Sequence, residues 1–182
     1  MKTTILMTFF ALGSITFALA QATPQVPEFK NVPHLLNADG SLTKLEKQTT
    51  EIKKKAKAMG YGGVNDVIDI EGKSSDVRVQ KNAEFIVKID ADVDPETAFY
   101  LTKAEIQGKG REVAVSHMSM SAGMGGKGKS VHKDDVILKF TKIKDGVYKI
   151  TPETALLPGE EYVFINTNQS STPVVFCFGL NK

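Results

Sequence analysis

Five side chains in one short window hold most of the chemical promise of this 182-residue chain: His117, Met118, Met120, Met124 and His132. Thioether sulfur and imidazole nitrogen together suit Cu(I), a soft ion that exported proteins encounter. In an extended Met118-Ser119-Met120 both methionines project to the same face. The glycines that follow let the chain fold Met124 back toward them. Three sulfurs and His117 then form a low-coordinate metal site, and copper is the one cofactor the sequence suggests. The competing reading is a surface loop in which methionine is adaptable filler.

The same window contains a second motif. Gly123-Met124-Gly125-Gly126-Lys127-Gly128-Lys129-Ser130 matches the phosphate-binding pattern G-x-x-x-x-G-K-[ST] at every position. In a nucleotide site the backbone N–H groups wrap the phosphates, the lysine neutralises charge and the hydroxyl binds magnesium. Such a loop must open a helix, yet Val131 to Asp135 lead into the strand-like run Val136 to Phe140. The doubly wound sheet that presents the loop is missing from the pattern. A flexible Gly/Lys loop is the better reading.

Other chemistries find little support. The histidines are His34, His117 and His132, and no G-x-S-x-G elbow occurs. Asp134-Asp135 reads as a turn into the next strand. Tryptophan is absent, which weakens a sugar-binding platform, and Tyr61, Tyr100, Tyr148 and Tyr162 read as core or rim residues. Asn168-Gln169-Ser170 fits the N-glycosylation pattern, which matters only in a eukaryotic secretory host. The single cysteine, Cys177, sits in the apolar run Val174 to Phe178 and reads as a buried, inert thiol. No catalytic residue is assigned, and an enzyme is not expected.

The N-terminus sets the expected compartment. Met1-Lys2, an apolar stretch from Ile5 to Ala18 and the small residues of Ala18-Leu19-Ala20 form a secretory signal peptide over residues 1–20. Export to the periplasm or the exterior is therefore expected, and export counts further against nucleotide hydrolysis. No later run is apolar enough for a transmembrane segment. Cleavage removes Lys2 and no acid, so the formal charge falls by one from +2, too small a surplus to imply nucleic acid as a partner. Residues 41–59 are locally basic, with six lysines against Glu46 and Glu51. They read as a solvated face or as a contact to an anionic envelope polymer.

Positioning of any site falls to short strands. Residues 21–60 read as an N-terminal extension with a hairpin turn at Asn37-Ala38-Asp39-Gly40. Leu42, Leu45, Thr49, Ile52, Ala56 and Met59 recur at spacings of three and four, which predicts a basic helix over 46–58. A strand continuing from the hairpin is the alternative. After the Gly60-Tyr61-Gly62-Gly63 break the period becomes two, as in Phe85, Val87 and Ile89. About eight or nine short strands separated by turn residues predict a mainly β fold, an antiparallel immunoglobulin-like β-sandwich over 61–182.

Two resemblances accompany this reading. Ile150-Thr151-Pro152 and Leu157-Pro158-Gly159-Glu160-Glu161-Tyr162, with a Met-rich segment upstream, resemble the closing hairpin of small periplasmic copper-resistance carriers. That likeness implies Cu(I) on Met118, Met120 and Met124. The train Leu45 to Gln48, Lys57 to Gly63, Gly72 to Ser75, Leu157 to Tyr162 and Phe176 to Gly179 resembles an uncharacterised group of exported bacterial β-sandwich proteins, which implies fold and export alone. The expectation is thus an exported, non-enzymatic binding or structural module. Its candidate partner is a cell-envelope protein or polymer. The alternatives are a periplasmic copper-binding protein using Met118, Met120, Met124 and His117, or a secreted hydrolase.

Overall fold

The computed structural model describes residues 25–56, 64–114, 134–167 and 173–181. Among them the chain runs β1 (His34–Leu36), β2 (Leu42–Lys44), β3 (Glu46–Thr49), β4 (Ile52–Ala56), β5 (Val64–Glu71), β6 (Arg78–Val79) and β7 (Glu84–Lys88). A short helix α1 (Pro95–Ala98) follows, then β8 (Phe99–Gln107), β9 (Gly110–Ala114), β10 (Asp135–Val136), β11 (Leu138–Lys144), β12 (Val147–Pro152), β13 (Glu161–Asn166) and β14 (Val174–Leu180). The fold is mainly β, with two antiparallel sheets of which the larger curls into a half-barrel.

The smaller sheet has the order β11-β12-β7-β1-β2, and the larger the order β3-β14-β13-β8-β9-β5-β4. Two short strands add to the larger sheet: β10 on β8, and β6 parallel to β14. The predicted hairpin at Asn37 to Gly40 is present. Asn37 N–H donates to the Ser41 carbonyl at 2.9 Å, and β1 pairs with β2 from His34↔Lys44 to Leu36↔Leu42. Asp145-Gly146 turns β11 into β12. Gly146 has φ 68°, and a Cβ there would lie 2.7 Å from the Ile89 carbonyl oxygen, so the site takes glycine.

Over its described part, residues 46–56, the predicted helix is not formed. Residues 46–49 and 52–56 are the strands β3 and β4, paired with β14 and β5. The physical reason is the absence of a partner for an apolar helix face. Leu45 is drawn into the sandwich core, while Ile52 stays 46% exposed and Thr49 is exposed. Lysine, glutamate and glutamine favour a helix by only tenths of a kcal/mol per residue, and a helix here would leave the β14 and β5 edges without the main-chain partners that β3 and β4 supply. The helix that does form, α1, is one turn. Asp94 caps it by accepting from Glu96 N–H, and Pro95 starts it.

Two apolar cores result, and they share a wall. Between the sheets lie Phe85, Phe164 and Phe178, with ring centroids 4.9 and 5.0 Å from Phe85, joined by Val87, Leu101, Ile150 and Phe176. On the other side of β8, β13 and β14 the curled part of the large sheet folds back. There Ile68 and Ile70 of β5 and Val113 of β9 pack on Ala104, Val163, Ile165, Val175 and Cys177. All six residues of β13 are therefore buried, the even-numbered aromatics facing one core and Val163 and Ile165 the other. Complete burial of each such side chain is worth about 1.5–3 kcal/mol.

The half-barrel is drawn together at a seam between β3 and β5. The Gln48 side-chain amide donates to the Glu71 carbonyl at 3.1 Å and accepts from Glu71 N–H at 3.0 Å, standing in for a step of main-chain ladder. Thr50 then crosses to β14, donating both its N–H and its hydroxyl to the Pro173 carbonyl at 3.0 Å.

Candidate functional site

Strand β9 alternates Arg111 and Val113 inward with Glu112 outward, so the β phase carries a guanidinium into the half-barrel. Arg111 is fully buried. Its Nη2 donates to Glu46 Oε1 at 2.9 Å and to the Glu71 carbonyl at 3.0 Å, and its Nε donates to the Gly72 carbonyl at 2.9 Å. Nη1 reaches Glu161 Oε2 at 3.4 Å. Glu161 also accepts from Ser75 N–H at 2.7 Å and from Arg78, which donates in addition to the Leu180 carbonyl. The Ser75 hydroxyl donates to the Cys177 carbonyl at 3.2 Å.

Two arginines against two glutamates make this end of the half-barrel charge-balanced, as burial demands. Burial pushes the Glu46 carboxyl up, but the Ser75 hydroxyl, the Arg111 guanidinium and the Gln48 amide outweigh it and hold the group below its ordinary range. An acid kept ionised in this way suits a fixed anchor. Next to it, burial first and then Glu46 and Glu161 push the Cys177 thiol up to about 12, against the pull of Arg111. A thiol so held is a packing group, as its apolar run suggests.

The outer face of the curl is charged. Asp69, Glu112 and Glu105 stand at one level across β5, β9 and β8 as direct partners. Like charges in such a row repel, and β4 supplies the counter-charges. Lys53 donates to Asp69 at 2.6 Å and Lys55 to Glu112. A cleft of about 490 Å³ beside them is lined by Asp69, Glu71, Gln107, Lys109 and Glu112. Among the described residues no group of three or more His, Cys, Asp or Glu is placed to hold a metal ion.

The predicted metal ligands His117, Met118, Met120 and Met124 lie outside the described residues, as do residues 123–130 of the phosphate-loop pattern and the signal peptide at 1–20. What is described is the stem on either side. β9 pairs with β8 from Gln107↔Gly110 to Glu105↔Glu112, and two residues further along the same β8 edge Lys103 N–H donates to the Asp134 carbonyl at 2.9 Å. β10 then resumes pairing on the same β8 edge at Asp135↔Thr102. The last β9 partner on β8, Glu105, and the Asp134 partner, Lys103, are thus two residues apart along one edge. A cleft of about 250 Å³ opens there, lined by Lys103, Asp134, Asp135, Val136, Leu156 and Tyr162. His34 is buried in β1, its Nδ1 within 2.9 Å of the Val32 carbonyl oxygen.

The network around Arg111 was not anticipated from sequence, although a signal exists: Arg111 is in phase with Val113, a charge on an apolar face. No family model, no curated protein and no solved structure matches this chain.

Proposed function

We propose that this chain is an exported, non-enzymatic binding or structural module built on an immunoglobulin-like sandwich. One observation carries the reading. Traced away from the Arg111 end, β4, β5, β13 and β14 finish at Ala56, Val64, Asn166 and Val174 at the opposite end of the half-barrel, and β9, which pairs Ala114 with Val67 of β5, runs toward that end. The flanks of 57–63 and 167–173 are thereby fixed to one end of a framework packed on both sides, and those of 115–133 to the β8 edge at Glu105 and Lys103. Loops presented by a rigid scaffold are where such domains contact partners.

The immunoglobulin-like reading draws support from strand order, with β11-β12-β7-β1 facing β14-β13-β8. It also draws support from the corner in which the Tyr162 hydroxyl accepts from Leu157 N–H at 2.9 Å, at the start of β13. The envelope is the expected setting, given residues 1–20. The test exchanges residues 115–133 for a Gly/Ser linker of equal length and compares capture on purified cell-envelope fractions. The expected result is loss of capture with the thermal midpoint unchanged. Capture that survives the exchange, or no capture by the parent chain, overturns the proposal.

A second reading, Cu(I) handling by Met118, Met120, Met124 and His117, is favoured by the attachment of Glu112 and Asp134, on either side of that stretch, two residues apart on one edge of β8. A Cu(I) competition titration tests it. Tight one-to-one binding that disappears in the triple Met118/Met120/Met124→Ala variant supports it, and equal behaviour of both proteins ends it.

A further inference from the structure

We infer that residues 47–56, β3 beyond Glu46 with β4 and the link between them, form a polar strap that releases from the half-barrel as a unit while both cores stay folded and Glu46 stays paired with Arg111. The first ground is what the strap does not bury. None of residues 46–55 places an apolar side chain in either core, and the one large apolar residue among them, Ile52, is half exposed. Residues 51–55 are exposed without exception. Leu45, buried between the sheets, and Glu46, held by the buried Arg111, precede the strap and supply a fixed hinge point.

The second ground is how the strap is held. Its attachments are main-chain ladders to β14 and β5 and a short series of polar contacts: Gln48 to Glu71, Thr50 to Pro173, Lys53 to Asp69 and Lys55 to Glu112. Lys53 and Lys55 are more than half exposed, so their ion pairs are worth little in water. The seam at Gln48 replaces a ladder with one side chain. Segments with few buried apolar contacts and solvent-exposed hydrogen bonds open at free energies well below that of the whole fold.

Release has a specific consequence. It bares the β14 edge that β3 covers and the β5 edge that β4 covers, two rows of main-chain donors and acceptors able to take up an extended segment of another chain. This inference stands independently of what the loop end of the half-barrel contacts.

Hydrogen exchange read by mass spectrometry on the full chain, at urea concentrations below the unfolding transition, tests it. The expected result is that amides of 47–56 exchange at least about tenfold faster than those of β13, with rates that do not respond to urea. A Val87→Ala variant adds a second readout, because Val87 is buried in the sandwich core far along the chain from the strap. It should speed β13 exchange by roughly tenfold or more and leave the strap unmoved. If the strap shares the rate, the urea slope and the Val87→Ala response of β13, it opens only with the whole fold and the inference is wrong.

Discussion

The guanidinium of Arg78 occupies the space that any side chain on Gly179 would need. A Cβ on Gly179 would run into Arg78 and into the Glu161 carboxylate it pairs with, so β14 needs glycine there to admit the ion pair. The requirement comes from neighbours, since Gly179 is not among the glycines with positive φ.

Gly179→Ala should therefore cost about 3 kcal/mol, through displaced packing and a strained buried ion pair. In an Arg78→Ala background the same change should cost only about 1 kcal/mol, because the obstacle is gone. Urea unfolding of the four proteins of this cycle measures the coupling, and simple additivity would contradict the account.

Removing the charge at Arg111 leaves Glu46 and part of Glu161 buried without their main partner. Arg111→Leu should destabilise the fold by about 3–5 kcal/mol. Adding Glu46→Leu should recover part of that loss, since the orphaned carboxylate is then absent. Denaturation midpoints report both steps.

Stability should fall in acid partly through Glu46. Its folded value lies below the ordinary 4.5, so the unfolded chain binds the proton more readily. The contribution is complete above about pH 4.5 and is lost as pH drops through the lower folded value. Glu46→Gln should flatten the acid limb of a plot of unfolding free energy against pH.

Cys177 sets the opposite slope in alkali. Burial raises its thiol from 9.0 to about 12, so the contribution is complete below pH 9 and is lost as pH rises toward 12. The difference between the parent and Cys177→Ala in urea unfolding from pH 8 to pH 11 isolates it. In the folded protein at pH 8 a thiol reagent should label Cys177 far more slowly than in the urea-unfolded chain.

Tyr162→Phe removes the hydroxyl that accepts from Leu157 N–H. The expected cost is about 0.5–1.5 kcal/mol, the net value of one such bond. Circular dichroism and thermal melts would show a lower midpoint with the strand signal intact.

Much of the sandwich was legible in the chain because period-two alternation in Phe85, Val87 and Ile89 needs one covered face and nothing else. The turn at Asn37 to Gly40 and the Leu157 to Tyr162 corner carry their own local chemistry. Residues 46–58 misled because their helical spacing and good helix formers are local signals, whereas strand pairing to β14 and β5 comes from residues far along the sequence. The second core was harder to see. Its trace is the unbroken apolar run Tyr162 to Ile165, which signals a strand covered on both faces and not merely a strand. Arg111 could be read as a charge in phase with Val113, but its carboxylate partners Glu46 and Glu161 are brought to it by the curl alone.

The wall between the two cores also guards the fold against its own mistakes. Shifting β13 by one residue relative to β8 and β14 would turn Glu161 and Asn166 toward the wrong sides and drive the rings of Tyr162 and Phe164 into the aliphatic space occupied by Val163 and Ile165. In a sheet with one wet face, such a slip is partly forgiven by solvent. Here neither face forgives it, so misregistered chains have nowhere to rest, and β13 acts as the proofreader of its own alignment.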